Sequence, residues 1–446
     1  MKRLRTKCIP ALLLCAVSWG TGGGSTFFPA TASAQSPSNS YVIQNARIVT
    51  VTGPVIERGS VVISDGKIAA VGDNVGSPAG ARVIDGSGLS VYPGMIDCGT
   101  ELGLAEVSAV AATNDEAEIG DNNANIHVDV AIRPDSSHIP VTRVNGITTA
   151  LTEPTGGLIA GTSTLINLDG WVPKEMILKT PVAMHINWPG ADARGGEFAS
   201  FGRAERPVVE ARKEADKKID ELKKILNDAR AYADAKDARA KDSSLPKQDL
   251  DLKLEALIPL VRGQMPAIIT ATTERDIKRA VEFADEMKIK MILSSGVEAY
   301  KLTDLLKAKN IPVIVGPVLR LPENEDDAYD AAFANAGLLN KAGIKIAFQT
   351  MESAHSRDLP YHAGMAAAFG LPKDEALKAV TIYPAQILGV ADKIGSIETG
   401  KIANLIVTDG DPLEIRTQVK YLFINGKQVT LNTRHTELYE KYKARP

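Results

Sequence analysis

Two carboxylates are the residues of this chain best suited to chemistry. Glu101 follows the run Met95-Ile96-Asp97-Cys98, and Glu352 lies just beyond Ile346-Ala347-Phe348-Gln349. Without imidazole or thiolate partners, such a pair suits a hard cation, Mg²⁺ or Ca²⁺, better than Zn²⁺. It would serve equally as an acid/base pair with one carboxyl held protonated. The plainer alternative is a pair of solvated or ion-paired acids. Two histidines stand at comparable places. His185 closes Ala183-Met184-His185-Ile186-Asn187 between apolar neighbours, the setting of a hydrogen-bonded structural histidine as much as of a catalytic one. His355 lies in a loop before the helix start Asp358-Leu359-Pro360, and His362 inside that helix reads as packing. The catalytic candidates are therefore Glu101, Glu352, His185 and His355. Glu153, Asn187, Ser295, Glu298 and Gln349, at the ends of other runs, are the candidates for binding a substrate. No phosphate-binding signature, cysteine nucleophile or Ser-His-Asp set emerges.

These residues need a frame to hold them. Apolar runs end near Gly99, Leu151, Leu168, Ile186, Thr270, Ser294, Gly316 and Gln349, and helical patterns cover 274–287, 298–309, 328–342 and 373–380. About eight strands alternating with helices favour an α/β fold, a (β/α)8 TIM-like barrel over residues 93–395 with functional groups at the C-terminal strand ends, over the alternative of a doubly wound open sheet. Strand alternation would turn Asp97, Gly99 and Glu101 toward the barrel centre and Cys98 away from it. Residues 204–262 interrupt the rhythm with a charged helical insertion. Its Ile219, Leu222, Leu226 and Ala229 share one stripe, so it should pack as a solvated helical hairpin on the barrel. Both ends of the chain are rich in strands. Asp65-Gly66 and Asn425-Gly426 supply the positive φ angles of tight hairpins, which predicts a small composite β-sandwich from 41–92 and 396–432. A long acidic loop, 114–135, follows the first barrel strand. Gly156-Gly157 after Glu153-Pro154-Thr155 could present N–H groups to an oxyanion or simply make a tight turn.

Residues 1–34 read as a signal peptide: Lys2, Arg3, Arg5 and Lys7, then the apolar Ile9–Val17, then Ala32-Ser33-Ala34. Cleavage would start the mature chain near Gln35, in a periplasmic or secreted setting. Four cations and no carboxylate leave with that segment, so the net charge falls from −3 to −7. An acidic surface argues against nucleic acid or an anionic membrane as partner and points to a small-molecule ligand. Nothing in the composition excludes a homo-oligomer. Only Cys98 would remain of three cysteines, so no intramolecular disulfide is expected.

Pro93-Gly94-Met95-Ile96-Asp97, the block Gly395-Ser396-Ile397-Glu398-Thr399-Gly400-Lys401-Ile402-Ala403-Asn404-Leu405-Ile406-Val407, and Asp409-Gly410-Asp411-Pro412-Leu413 resemble the amidohydrolase superfamily, in its imidazolonepropionase-like branch. The resemblance runs from about residue 41 to 430. It implies a metal-dependent-hydrolase barrel with a composite sandwich, and hydrolysis of carbon–nitrogen bonds other than peptide bonds by a metal-activated water. It also implies metal ligands that this chain does not carry. The paired histidines map to Gly99 and Glu101, a third to Thr270, a fourth to Ser295, and the closing aspartate to Met351 or Glu352; no bridging lysine can be placed. The expectation is a hydrolase with a degenerate metal centre and no cofactor. The alternative is a catalytically inactive small-molecule-binding or scaffold protein on the same barrel.

Overall fold

A two-residue turn shapes each end of the chain. In the computed structural model, which describes residues 40–73, 75–190, 207–322 and 326–445, φ is 51° and 80° at Asp65 and Gly66, and 50° and 72° at Asn425 and Gly426. These are the angles a tight hairpin needs, and they join Ile56–Ser64 to Lys67–Gly72 and Val419–Ile424 to Lys427–Val429. Together with Tyr41–Ile48, Arg82–Asp85, Ser90–Pro93 and Leu405–Thr408 they make one eight-stranded sheet drawn from both ends of the sequence. The Ile68 N–H donates to Lys401 O at 2.9 Å, which brings the far edge of the sheet back beside its middle. The sheet thus folds over its own core of Ile43, Val61, Ile63, Val91, Leu405 and Phe423. The signal segment expected over 1–34, with cleavage near Gln35, lies outside the described residues. Among the described residues no helix is long and apolar enough to cross a membrane.

Eight strands form the barrel: β1 (Met95–Thr100), β2 (Ile147–Thr152), β3 in two segments (Ile159–Thr162 and Thr164–Asn167), β4 (Met184–Asn187), β5 (Ala267–Ala271), β6 (Met291–Ser295), β7 (Val313–Val315) and β8 (Ile346–Phe348). Seven are parallel. β3 runs antiparallel to both neighbours, pairing its second segment with β2 and its first with β4. The reason is length: six residues separate β2 from β3, enough for a turn but not for a parallel crossover. The barrel closes between β8 and β1, where Met351 N–H donates to Gly99 O at 2.9 Å and Glu101 N–H to Met351 O at 2.8 Å. At the opposite end, Asn404 ties barrel to sheet. Its amide donates to Asn167 Oδ1 at 2.8 Å and to Thr149 Oγ1 at 3.2 Å, while its own Oδ1 accepts the Asn425 N–H at 2.9 Å.

The alternation expected along β1 fails at one point. Asp97 pairs with Ala150 and Thr100 with Thr152, three steps on β1 against two on β2, which is a bulge at Cys98-Gly99. Ile96 and Cys98, two apart and leading into the bulge, face inward, which is the opposite phase to the expected one, and the bulge then brings Gly99 to the next inward position. Cys98 joins Ile96, Leu151, Leu165, Ala183, Ile268, Ile292, Ile314 and Ala347 in an apolar plug with contributions from every strand. Its thiol is buried and unreactive, pushed up by burial and by the nearby carboxylates. Asp97 turns to the barrel seam instead. Its Oδ1 accepts Thr350 N–H and Gly99 N–H, both at 3.2 Å, and its Oδ2 accepts Thr350 Oγ1–H at 2.5 Å.

The insertion packs as its stripe requires. Helix α1 (Val208–Lys241) buries Ala211, Ala215, Ile219, Leu222, Leu226, Ala229 and Ala233, and helix α2 (Leu252–Val261) returns alongside it, capped by Asp251. Ion pairs Arg279–Asp216 and Lys223–Glu286 pin α1 to helix α3 (Glu274–Glu286), which follows β5.

Asp97 makes the seam sensitive to pH. Burial raises its carboxyl to about 7, with the Thr350 and Gly99 hydrogen bonds opposing. An unfolded aspartate titrates near about 3.9. The folded state therefore binds the proton more tightly, and ionisation costs stability increasingly as pH climbs from about 4 through 7. Asp97→Asn, which cannot ionise, should melt close to the parent at pH 4 to 5 and above it at pH 8. Parallel melting-temperature profiles for the two proteins would remove Asp97 as the cause.

Candidate active site

One step above the apolar plug, each parallel strand end presents its next inward position. This layer comprises Gly99, Glu153, His185, Thr270, Ser294, Gly316 and Gln349. It is a filled layer. Gln349 is 0%, Ser294 1%, His185 4% and Glu153 8% exposed. Ser294 Oγ donates to Gln349 Oε1 at 3.0 Å, and Gln349 Nε2 donates to Gly316 O at 3.2 Å, so the amide bridges β6, β7 and β8.

Glu153 Oε2 lies 3.5 Å from His185 Nδ1. The spacing suits an ion pair, but burial acts against both charges. It raises the Glu153 carboxyl well above the usual range, with the Asp97 and Glu101 charges adding to it, and it pulls His185 down to about 3. Removing two full charges from water costs several kcal/mol per ion, more than one long contact returns. The pair is neutral, with the proton on the carboxyl. Glu153 Oε2 and His185 Nε2 have no hydrogen-bond partner among the described residues.

Glu101 stands outside this layer, just past the end of β1, partly buried. Burial first, then the charges of Glu116 and Glu352, raise its carboxyl to about 7. Among the described residues it is a carboxyl at the mouth that is both reachable by solvent and poised to exchange a proton near neutrality.

The other candidates are placed elsewhere. Glu352 and His355 belong to an exposed turn, with side chains 66% and 57% exposed, and His355 Nδ1 sits 3.2 Å from Asp358. The inward residue at the end of β8 is Gln349, and Met351 pairs with β1 at the seam. Ser295 also faces the wrong way: it is in register with Ala271 and Val315 of the outer layer, and Ser294 is the inward residue. Glu298 holds the start of α3, accepting Glu274 N–H at 2.6 Å, and pairs with Lys301 at 2.7 Å. Asn187 lies at the mouth on β4 and donates to Gly157 O at 3.0 Å. The Gly156-Gly157 turn is tight and covered: a Cβ on Gly157 would come within 2.6 Å of Gly120 O in the acidic loop. His362 is the expected packing residue, buried, accepting Val318 N–H at 2.8 Å, and held down to about 4 by burial. Ser294 and Gly316 stand at expected strand ends but are not among the binding candidates. Counting two residues up from each plug position would have found them.

A divalent metal of the kind implied by the resemblance does not fit these residues. The positions the resemblance assigns to ligands hold Gly99, Glu101, Thr270, Ser295 and Met351 or Glu352, and a Cβ on Gly99 would lie 2.7 Å from Gln349 Oε1 and 3.0 Å from Glu153 Oε2. The space a histidine ring would need is already occupied. Among the described residues no group of three or more His, Cys, Asp or Glu side chains is placed to hold a metal. An open depression of about 430 Å³ on the terminal sheet offers no rival site. Its one acid, Glu398, is bound by Ser396, Thr52 and Lys401 and depressed to about 2.

Comparison with known proteins follows the fold. The sequence pattern of the amidohydrolase family matches residues 263–429. The amidohydrolase tasK of Hapsidospora irregularis is 24% identical over 406 residues, 83% of this chain and 39% of that protein, so the chain spans well under half of it. An imidazolonepropionase of Mesorhizobium japonicum is 25% identical over 420 residues, 82% of this chain and 91% of that protein. The crystal structure of an amidohydrolase from Thermotoga maritima superposes with a TM-score of 0.77 at 26% identity, covering 87% of this chain and 99% of the other.

The filled layer makes a direct prediction. Gly99→Ala overpacks it and should cost about 1–3 kcal/mol in urea unfolding. Combining it with Gln349→Ala should cost less than the two single changes summed, because the clash is removed with the amide. Additive losses would show that Gly99 and Gln349 do not meet.

Proposed function

We propose that this chain, a member of the amidohydrolase superfamily, is an exported hydrolase of a carbon–nitrogen bond outside the peptide backbone of a small molecule, working through Glu101 in place of a metal-bound hydroxide. Membership supplies the reaction class, and the basic, apolar and Ala-Ser-Ala segments before residue 35 support export. The observation that carries the reading is the Glu101 carboxyl: at the C-terminal end of a barrel strand, partly exposed, and raised to about 7.

In this reading Glu101 takes a proton from water while the water oxygen attacks the amide carbonyl carbon. The same proton then passes from Glu101 to the departing nitrogen as the carbon–nitrogen bond breaks. Protonated Glu153 beneath it holds the pocket floor neutral, so that Glu101 is repelled by fewer charges than the number of carboxyls suggests. Asn187 and Thr270, in register on neighbouring strands, offer polar contacts to a substrate.

A second reading, a binding protein without turnover, is favoured by the burial of Gln349, Ser294, His185 and Glu153. In that case the mouth is a shallow receptor over a closed floor. Ligands that raise the melting temperature but are never hydrolysed would select it.

Hydrolysis of small amides and lactams tests the first reading. Activity should rise with pH through about 7, because the base must be ionised, and Glu101→Gln should lose about 10²- to 10⁴-fold. Glu352→Gln removes a like charge and should move the acidic limb of the profile to lower pH. A profile that ignores Glu352, or full activity in Glu101→Gln, would rule out Glu101 as the base.

A further inference from the structure

The last helix, α4 (Arg434–Lys443), folds without burying anything. Thr433 caps it well: its Oγ1 accepts the Thr436 N–H at 3.2 Å, and Thr436 Oγ1 accepts the Thr433 N–H at 2.9 Å. A cap alone does not hold a ten-residue helix in water, where isolated helices of that length are marginal. The helix also presents one stripe. His435, Leu438, Tyr439 and Tyr442 recur at i, i+3, i+4 and i+7, the pattern of a face meant for contact. Leu438, Tyr439 and Tyr442 are 37%, 62% and 48% exposed. Cations border the stripe: Lys443 lies 5.4 Å from the Tyr439 ring centroid and Arg445 4.4 Å from that of Tyr442. Residues 434–445 carry four Arg and Lys against two carboxylates.

A surface of opposite character lies around the barrel mouth. Residues 106–135 carry seven carboxylates and one arginine, Arg133, which is paired with Asp115 at 2.6 Å. Apolar side chains stand out among those acids: Val107, Val110 and Val130 are exposed and Ile119 is 99% exposed. The loop is held in place, bridging Ala117 to Thr155, Asn122 to Ile159 and His127 to Thr162. It is a preformed acidic surface studded with apolar residues, as α4 is a basic helix with an aromatic stripe. Within one chain α4 rests beside His138–Arg143 and leaves its stripe uncovered.

We propose that α4 docks its Leu438/Tyr439/Tyr442 stripe on the acidic loop of a second copy of this chain, and that the exchange is reciprocal. A two-fold arrangement makes the contact twice, which brings a short helix toward the roughly 1,200 Å² of a stable interface. Each barrel mouth is then flanked by the other copy's terminal helix.

Light scattering on the full chain between 1 and 50 μM tests this. The full chain should be a dimer. A chain ending at Asn432 should be a monomer with an unchanged melting temperature, since α4 buries no residue. Lys441→Glu with Lys443→Glu should weaken the dimer about tenfold or more. Glu118→Lys with Asp121→Lys should do the same, and combining the four changes should restore it. A monomeric full chain, a dimer that survives truncation, or no rescue by the charge exchange would overturn the proposal. So would a monomer whose α4 binds anionic phosphatidylserine vesicles, which would assign the helix to a lipid surface. None of these outcomes depends on whether the chain hydrolyses anything.

Discussion

A side chain at residue 99 would place its Cβ 2.7 Å from Gln349 Oε1 and 3.0 Å from Glu153 Oε2, and the rest of the barrel mouth is organised around that exclusion. Gln349 can reach across to Ser294 and Gly316 because nothing projects from Gly99. Its amide joins three strands in the layer where the resemblance would have put metal ligands. The bulge at Cys98-Gly99 belongs to the same solution. It lays the bare Gly99 against the amide directly above Cys98 of the plug, while Asp97, on the other side of the strand, binds Thr350 at the seam. The result is a closed polar layer, whose members fit together only because residue 99 carries no side chain.

Burial then sorts the carboxyls by depth. Glu153, fully enclosed beside His185, has its carboxyl raised well above the usual range, first by burial and then by the charges of Asp97 and Glu101. Glu101, one level up and partly wet, is raised only to about 7 and by a different mixture of causes, burial and the repulsion of Glu116 and Glu352. Glu352 reaches open water. Three similar side chains thereby become a structural group, a group able to move protons, and a source of field. The proposed role of Glu101 rests on that gradient.

Much of this frame is legible in the sequence because it is written in local chemistry. Asp65-Gly66 and Asn425-Gly426 demand positive φ, and both turns are where they should be. The eight apolar runs end within a residue or two of the observed strands, and the stripe Ile219, Leu222, Leu226, Ala229 is buried as its spacing requires. The failures share a cause. Alternation gives a strand's period but not its phase, so Cys98 and Asp97 take each other's expected side, and it cannot see the bulge that carries Gly99 inward. An apolar run has no direction, so the antiparallel course of β3 was invisible until the six-residue gap before it was weighed. Ser295 in place of Ser294 is a slip of one residue at a strand end, where motif spacing is weakest as a guide to which side chain turns inward.

Metal content is the most direct measure of whether the polar layer has replaced the metal centre. The full chain, purified without chelator and dialysed after exposure to Zn²⁺, Mn²⁺ and Fe²⁺, can be assayed by elemental analysis beside its molar concentration. A layer closed by Gly99, Glu153 and Gln349 should retain well under one equivalent of any of the three, and Gln349→Ala should not raise that figure. One equivalent held through dialysis, and lost on changing Glu153, His185 or Glu101, would contradict the replacement and restore a metal to the mouth of this barrel.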